Sequence, residues 1–354
     1  MSSTAQFPVP SSSDPAPQLS GTGAQLDSVG SLTQEASTDA VRIPMKTLLV
    51  ASIKDEGPWL VEWIAYHRAI GFSDILICQN DSTDGTDALL SRLSDIGEIT
   101  YIDNSGCNGR PQLSAYRKAY ESDLYRSADW CLCIDSDEYF VPHEREGVDD
   151  FLQTYTEMDA IAVNWLNFGS AGNDVWQPGL LMDRFTRCAA PDCRTNFHFK
   201  SFHRIGAGFS GFGPHRPWGD PRDRYVYADG TIVPYHVQEA GLPDYINHSR
   251  AQINHYSVRS REEFHRKQAR GDGFVETRVY NPKKFQILNK NDSRNLSIKR
   301  FHKRTLDQLF RLMSDRDLPW LHYKSCMHHF KSYAASLLIL MTNVFVEFPV
   351  YDFV

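Results

Sequence analysis

The chain has 354 residues, 41% of them hydrophobic and 23% charged, which suits a soluble globular protein with a sizeable core in one large domain or two smaller ones. With 37 Lys and Arg against 44 Asp and Glu, the net charge of −7 argues against a nucleic-acid partner, since domains that bind nucleic acid are normally basic. It leaves room for a local basic pocket, and residues 184–224 are rich in Arg, Lys and His.

In chain order, residues 1–44 come first. They are rich in Ser, Pro, Gly, Thr and Ala and bury too little apolar surface to offset the cost of ordering, so a disordered tail is expected. They lack a positive n-region followed by an apolar run, so no secretory leader is expected and the predicted compartment is the cytoplasm. The seven cysteines, odd in number and scattered, agree with reduced thiols there. Cys188 and Cys193 could form a local disulfide or half of a metal site, but no second Cys/His pair completes a zinc pattern.

Residues 45–53, with a Thr-Leu-Leu-Val core, predict a buried strand, and 59–70 predict a helix that ends at Gly71. The cycle repeats with a strand at 74–78, a helix at 87–93, a strand at 99–102, a helix at 112–125 and a strand at 130–134. Such alternation predicts right-handed crossovers and a mostly parallel sheet covered on both faces. The loops after its strands should then gather along one edge, where ligands bind in open α/β sheets. Beyond residue 140 strands are predicted at 160–165, 180–185, 197–203 and 231–234, and helices at 260–271, 305–313 and 329–346. Within the last of these, 332–346 is an uncharged stretch of 15 residues, short for a membrane span. A buried helix is expected there, with peripheral contact at the inner face of a membrane as the alternative.

The fourth strand ends in Asp135-Ser136-Asp137-Glu138. Residues i and i+2 of an extended segment face the same way, so Asp135 and Asp137 can converge on one hard cation such as Mg²⁺ or Mn²⁺. Alone, a D-x-D pair more often marks a solvated turn.

Two further loops make it more specific. Lys54-Asp55-Glu56 follows the first strand and Asn80-Asp81-Ser82-Thr83-Asp84-Gly85-Thr86 the second. Taken with the D-x-D after the fourth, this order resembles family 2 glycosyltransferases of the GT-A fold. Glu62-Trp63-Ile64-Ala65-Tyr66-His67, Gly71-Phe72, the block 165–172, His198-Phe199-Lys200-Ser201, Pro214-His215 and Asn254-His255-Tyr256 are similar to the family 92-like branch. The likeness covers roughly residues 45–275.

The resemblance implies an α/β fold of GT-A type, Rossmann-like and nucleotide-sugar-binding, with a mostly parallel central sheet. It would span 45–290, followed by a helical extension over 291–354. It implies a metal-dependent, inverting transfer of sugar from a nucleotide-sugar donor, with uridine diphosphate the expected carrier, to a saccharide or lipid-linked acceptor, as in polysaccharide biosynthesis. Asp135 and Asp137, completed by His255, match the positions that hold Mn²⁺ or Mg²⁺, and Glu56 and Asp81 those that hold the nucleoside. Sugar transfer leaves negative charge on the departing diphosphate, which a Lewis acid offsets and which Lys200, Arg110 or Arg204 could also stabilise. The proton of the acceptor hydroxyl needs a carboxylate. Asp174 is the first candidate, with Glu239 and Asp220 behind it, while Glu138 is expected to be structural. His198, His203, His215 and His236 are dispersed singly and predict structural roles. The charged stretch 259–270 divides evenly between a solvated face and phosphate contact through Arg266 or Lys267.

Three other classes compete with this reading. A phosphohydrolase would use the first Asp of such a motif as a nucleophile, but that motif belongs near the start of its fold. A glycoside hydrolase with two carboxylates leaves the loop after the second strand unexplained. A non-catalytic carbohydrate- or nucleotide-binding module is the third, since fold alone does not settle activity.

Overall fold

The computed structural model describes residues 44–107, 109–219, 221–240, 245–269 and 283–329. The tail over 1–43, Asp220 and the apolar stretch 332–346 lie outside them.

The first half follows the predicted alternation closely. Strand β1 (Thr47–Ile53) is buried along nearly its whole length, as a strand covered on both faces must be. Helix α1 (Gly57–Ala69) takes Pro58 in its first turn, where the missing N–H costs nothing, and the chain leaves it through Gly71 at φ +97°. Strand β2 (Asp74–Gln79), helix α2 (Thr86–Asp95) and strand β3 (Thr100–Asp103) come next. The single helix expected over 112–125 is two, α3 (Pro111–Tyr120) and α4 (Asp123–Arg126), because the Ser122 hydroxyl caps the Tyr125 N–H and restarts the turn. Strand β4 (Trp130–Cys133) closes the parallel set in the order β3-β2-β1-β4.

From here the sheet becomes mixed. Strand β5 (Glu138–Pro142) follows the D-x-D after a tight turn, then helix α5 (Val148–Leu152) and strand β6 (Ala160–Asn167). The strand expected over 180–185 is instead a helical turn, α6 (Leu181–Arg184). Its first two N–H groups donate to the buried carboxylate of Glu62 on α1, a tertiary contact that overrides the local β pattern. Strands β7 (Arg187–Cys188), β8 (Phe199–Arg204) and β9 (Tyr225–Tyr227) follow. The strand expected over 231–234 is reduced to one bridge between Val226 and Ile232. Helix α7 (Tyr235–Ala240) leads toward strand β10 (Ala251–His255) and helix α8 (Arg261–Ala269). The described chain ends with α9 (Lys284–Leu288), β11 (Ser293–Arg294), α10 (His302–Met313) and α11 (Leu318–His329).

The main sheet runs β3-β2-β1-β4-β8-β6-β10-β5, with β9 beside β6. Strands β1 to β4 pair in parallel, β8 is antiparallel to β4 and β6, and β10 is parallel to β6 and antiparallel to β5. This is the expected α/β class, with more antiparallel pairing in its second half than alternation alone suggests. Helix α1 is buried on nearly every side because it lies between the sheet and helices α10 and α11. Among the described residues, no helix is long and apolar enough to cross a membrane.

Candidate active site

The D-x-D turn is shaped by its own neighbour. Glu138, with no exposed surface, accepts the Asp135 N–H on Oε2 at 2.8 Å, while its own N–H donates to the Asp135 carbonyl at 3.0 Å. Lys200 enters from β8, whose register with β4 pairs Phe202 with Leu132 and so carries Lys200 toward the turn. Its ammonium lies 3.0 Å from Asp135 Oδ2 and 3.1 Å from Glu138 Oε2. Burial opposes the charge on Lys200, but these carboxylates raise its pKa well above the usual lysine value. Glu138 is pushed up to about 8, mainly by burial and only partly offset by Lys200. Asp135 also accepts from Gln112 of α3 at 3.0 Å and keeps about a third of its side chain exposed (32%).

Asp137 has partners of its own. It is held by Lys267 of α8, and its Oδ2 lies 3.7 Å from His255 Nε2. The pairing of β10 with β5 sets His255 against Glu138, and the pairing with β6 sets it against Asn167. Asn167 donates its amide to Thr195 O and Asn196 Oδ1, leaving its own Oδ1 to accept from His255 Nδ1 at 3.0 Å. That bond assigns the proton to Nδ1 and the lone pair to Nε2, facing Asp137. Burial pushes the His255 imidazole down to about 4. For Asp137 burial works upward, but Lys267, His255 and Arg259 together hold the carboxyl well below its usual range.

The blocks scattered over the second half of the sequence meet here. The ring of Trp165, on β6, lies 4.1 Å from that of His255, 4.9 Å from His198 and 5.5 Å from His215. Trp165, His215 and His255 are half-buried and His198 is exposed, and the group offers aromatic surface beside the Asp137–His255 pair.

The loops after β1 and β2 are stitched to each other and to the loop after β3. Asp55 Oδ1 accepts the Thr83 N–H at 2.6 Å, and the exposed Asp81 accepts the Gly106 N–H at 2.9 Å. Both Asp55 (φ +50°) and Asp81 (φ +48°) hold left-handed backbone, a costly state for residues with a Cβ and one that clusters at functional loops. Glu56 is placed differently from Asp81. It is buried and pairs with Arg259 at 3.0 Å, and Arg259 in turn stacks over Trp59. Arg110 is exposed immediately before α3, the helix that supplies Gln112. Asp174 is exposed and meets Arg261 Nε at 3.0 Å, at the first turn of the helix that carries Lys267. Arg204, in contrast, sits at the far end of β8 over the Trp130 ring, opposite the start of β4 and away from the turn.

Among the described residues, no group of three or more His, Cys, Asp and Glu side chains is gathered as a metal cage. The donors fit a divalent cation in kind, with two carboxylates and an imidazole whose second nitrogen is anchored by Asn167. Lys200 and Lys267 hold the two carboxylates on separate ammonium groups. All seven cysteines are free, including Cys188 and Cys193.

The main residues missed in the sequence are Gln112, Arg259 and Asp84. Asp84 accepts from Gly57 N, Ser325 Oγ and His329 Nε2, tying α11 onto the first two motif loops. With partners more than 200 residues away along the chain, no local spacing could have announced the contact with α11.

Comparison with known proteins agrees with the resemblance drawn from the motifs. Residues 50–204 match the family model for glycosyltransferase family 92. No curated protein matches the chain. Among solved structures, S. aureus TarS 1-349 in complex with UDP-GlcNAc is 13% identical over 81% of this chain and 81% of that one, at a TM-score of 0.35. The structure of S. aureus TarS 1-349 is 12% identical, covers 82% of this chain and 81% of its own, and has a TM-score of 0.36. Against another S. aureus TarS chain, 14% identical at a TM-score of 0.30, the match covers 46% of this chain and 29% of that one.

Proposed function

We propose, taking the glycosyltransferase domain of residues 50–204 as the premise, that the chain transfers a sugar from a nucleotide-activated donor, of uridine diphosphate type, to a saccharide or lipid-linked acceptor with inversion. The supporting observation is the pairing of Asp137 with the lone-pair nitrogen of His255 beside the Trp165 ring, at the edge where the strand-end loops meet.

In this reading Asp135, Asp137 and His255 hold Mn²⁺ or Mg²⁺, which when bound supplies Lewis-acid stabilisation of the diphosphate's developing charge. Asp81 and Glu56 lie on the loops that would receive the nucleoside. Arg110 and Lys200 add positive charge, Arg110 from the surface and Lys200 through Asp135. An acceptor hydroxyl oxygen attacks the anomeric carbon, the anomeric C–O bond breaks with its electron pair leaving on the diphosphate, and Asp174 takes the hydroxyl proton. Peripheral membrane contact would suit a lipid-linked acceptor, and 332–346 is the segment to carry it.

The experiment is a nucleotide-sugar panel read by release of free nucleoside diphosphate. Turnover of a uridine diphosphate sugar that depends on Mn²⁺ or Mg²⁺ and disappears in Asp137→Ala is expected. Undiminished turnover in a folded Asp137→Ala protein would overturn the assignment.

A further inference from the structure

The two aspartates of the turn carry different kinds of counter-charge. Lys200 is fully buried and answers two carboxylates at once, so it is part of the frame. Lys267 lies on helix α8 beyond its buried residues Glu263 and Phe264, keeps 30% of its side chain in solvent, and contacts one carboxylate, Asp137. It does so on Oδ2, the same oxygen that faces His255 Nε2. A cation held by Asp137 and His255 would compete with Lys267 for that carboxylate.

We propose that Lys267 is an exchangeable internal cation: its ammonium blocks Asp137 against free divalent metal, and a nucleoside diphosphate draws it away so that metal and nucleotide bind together. The inference rests on the metal-bridged reading above. Charge favours the exchange. Asp137 must lose one positive partner to gain another, while the diphosphate brings negative oxygens to which a lysine one-third exposed on a helix can turn. Lys200, with no exposed surface and two carboxylates to satisfy, has no such freedom.

The test measures Mn²⁺ binding to the full chain by calorimetry, without nucleotide and with uridine diphosphate, in the native protein, Lys267→Met and Lys267→Arg. Removing a charge-assisted competitor should tighten nucleotide-free Mn²⁺ binding by roughly tenfold or more in Lys267→Met, while Lys267→Arg keeps the weak native affinity. The methionine variant should also bind uridine diphosphate with Mn²⁺ roughly tenfold more weakly, having lost the phosphate contact. Nucleotide-free Mn²⁺ affinity in Lys267→Met equal to that of the native protein overturns the exchange, whatever the nucleotide result. A native protein that binds no Mn²⁺ even with uridine diphosphate overturns the metal-bridged reading instead. Circular dichroism on each variant separates both outcomes from misfolding.

Discussion

Lys200 Nζ lies 3.0 Å from Oδ2 of Asp135 and has no exposed surface of its own. The frame of the D-x-D turn is thus a buried ion pair, extended to Glu138 at 3.1 Å. Lys200→Met would leave Asp135 without its buried counter-charge and Glu138 without its Nζ donor, and removing one partner of a buried pair costs about 3–5 kcal/mol. Urea unfolding should show a loss of that size. A loss under about 1 kcal/mol, the range of surface pairs, would contradict the assigned role.

Asp84 joins the loop after β2 to the start of α1 through Gly57 N and to α11 through Ser325 Oγ and His329 Nε2. Asp84→Ala leaves buried donors without an acceptor, at about 1–3 kcal/mol. Hydrogen exchange should quicken in α11 and at the start of α1 while β1 and β4 stay protected. Unchanged exchange in α11 would show that the helix is held by its apolar contacts alone.

Gly57 has no room for a side chain, because a Cβ there would stand 1.9 Å from Ser325 Oγ and 2.7 Å from Ser325 Cβ. Gly57→Ala should cost about 1–3 kcal/mol through overpacking. Ser325→Gly removes both obstructing atoms, so adding it should restore most of the loss in a double-mutant cycle. Additive losses would place the strain elsewhere.

Buried histidines and glutamates give the stability a definite pH shape. Burial pushes His67 and His203 down to about 3 and His215 and His255 down to about 4. Below about pH 6.5 the unfolded chain therefore takes up protons that the folded chain refuses, and stability falls with acidification. Glu62 is raised to about 7 and Glu138 to about 8, chiefly by burial. These two keep protons that the unfolded chain has released, so their contribution is lost as pH rises through 7 to 8. Unfolding midpoints should peak near pH 6.5 and decline on both sides (a flat profile from pH 5 to 8 would count against the neutral, buried state of these groups).

Asp174, exposed and joined to Arg261, is spared by the fold and so can be tested for chemistry alone. Asp174→Asn should leave the unfolding midpoint within the small range of surface substitutions and lower kcat by roughly a hundredfold or more, as removal of a general base does. Full activity would return the search for the base to the other carboxylates of the second half.

The first four strands and the loops after them were legible because β and α periodicities there are local and alternate without interruption. The second half was read less well. Leu180 to Arg184 looked like a strand until Glu62, more than 100 residues earlier, supplied an acceptor for its N–H groups. Helix α11 was missed although Pro319 marks its first turn, because it lacks a clear apolar stripe. Asp135, Asp137 and His255 could be named from motifs, and the structure sets Asp137 beside His255. What the motifs did not show is which carboxylate each lysine would hold. Lys267 is 130 residues from Asp137, and only the pairing of β10 with β5 and the turn into α8 brings them together.

The most direct test of the central claim is the thermal unfolding midpoint with uridine diphosphate, with and without Mn²⁺. A metal-bridged diphosphate at Asp135, Asp137 and His255 predicts that the nucleotide raises the midpoint only when Mn²⁺ or Mg²⁺ is present, and that Asp137→Ala abolishes the rise. An equal rise in the presence of chelator would contradict it.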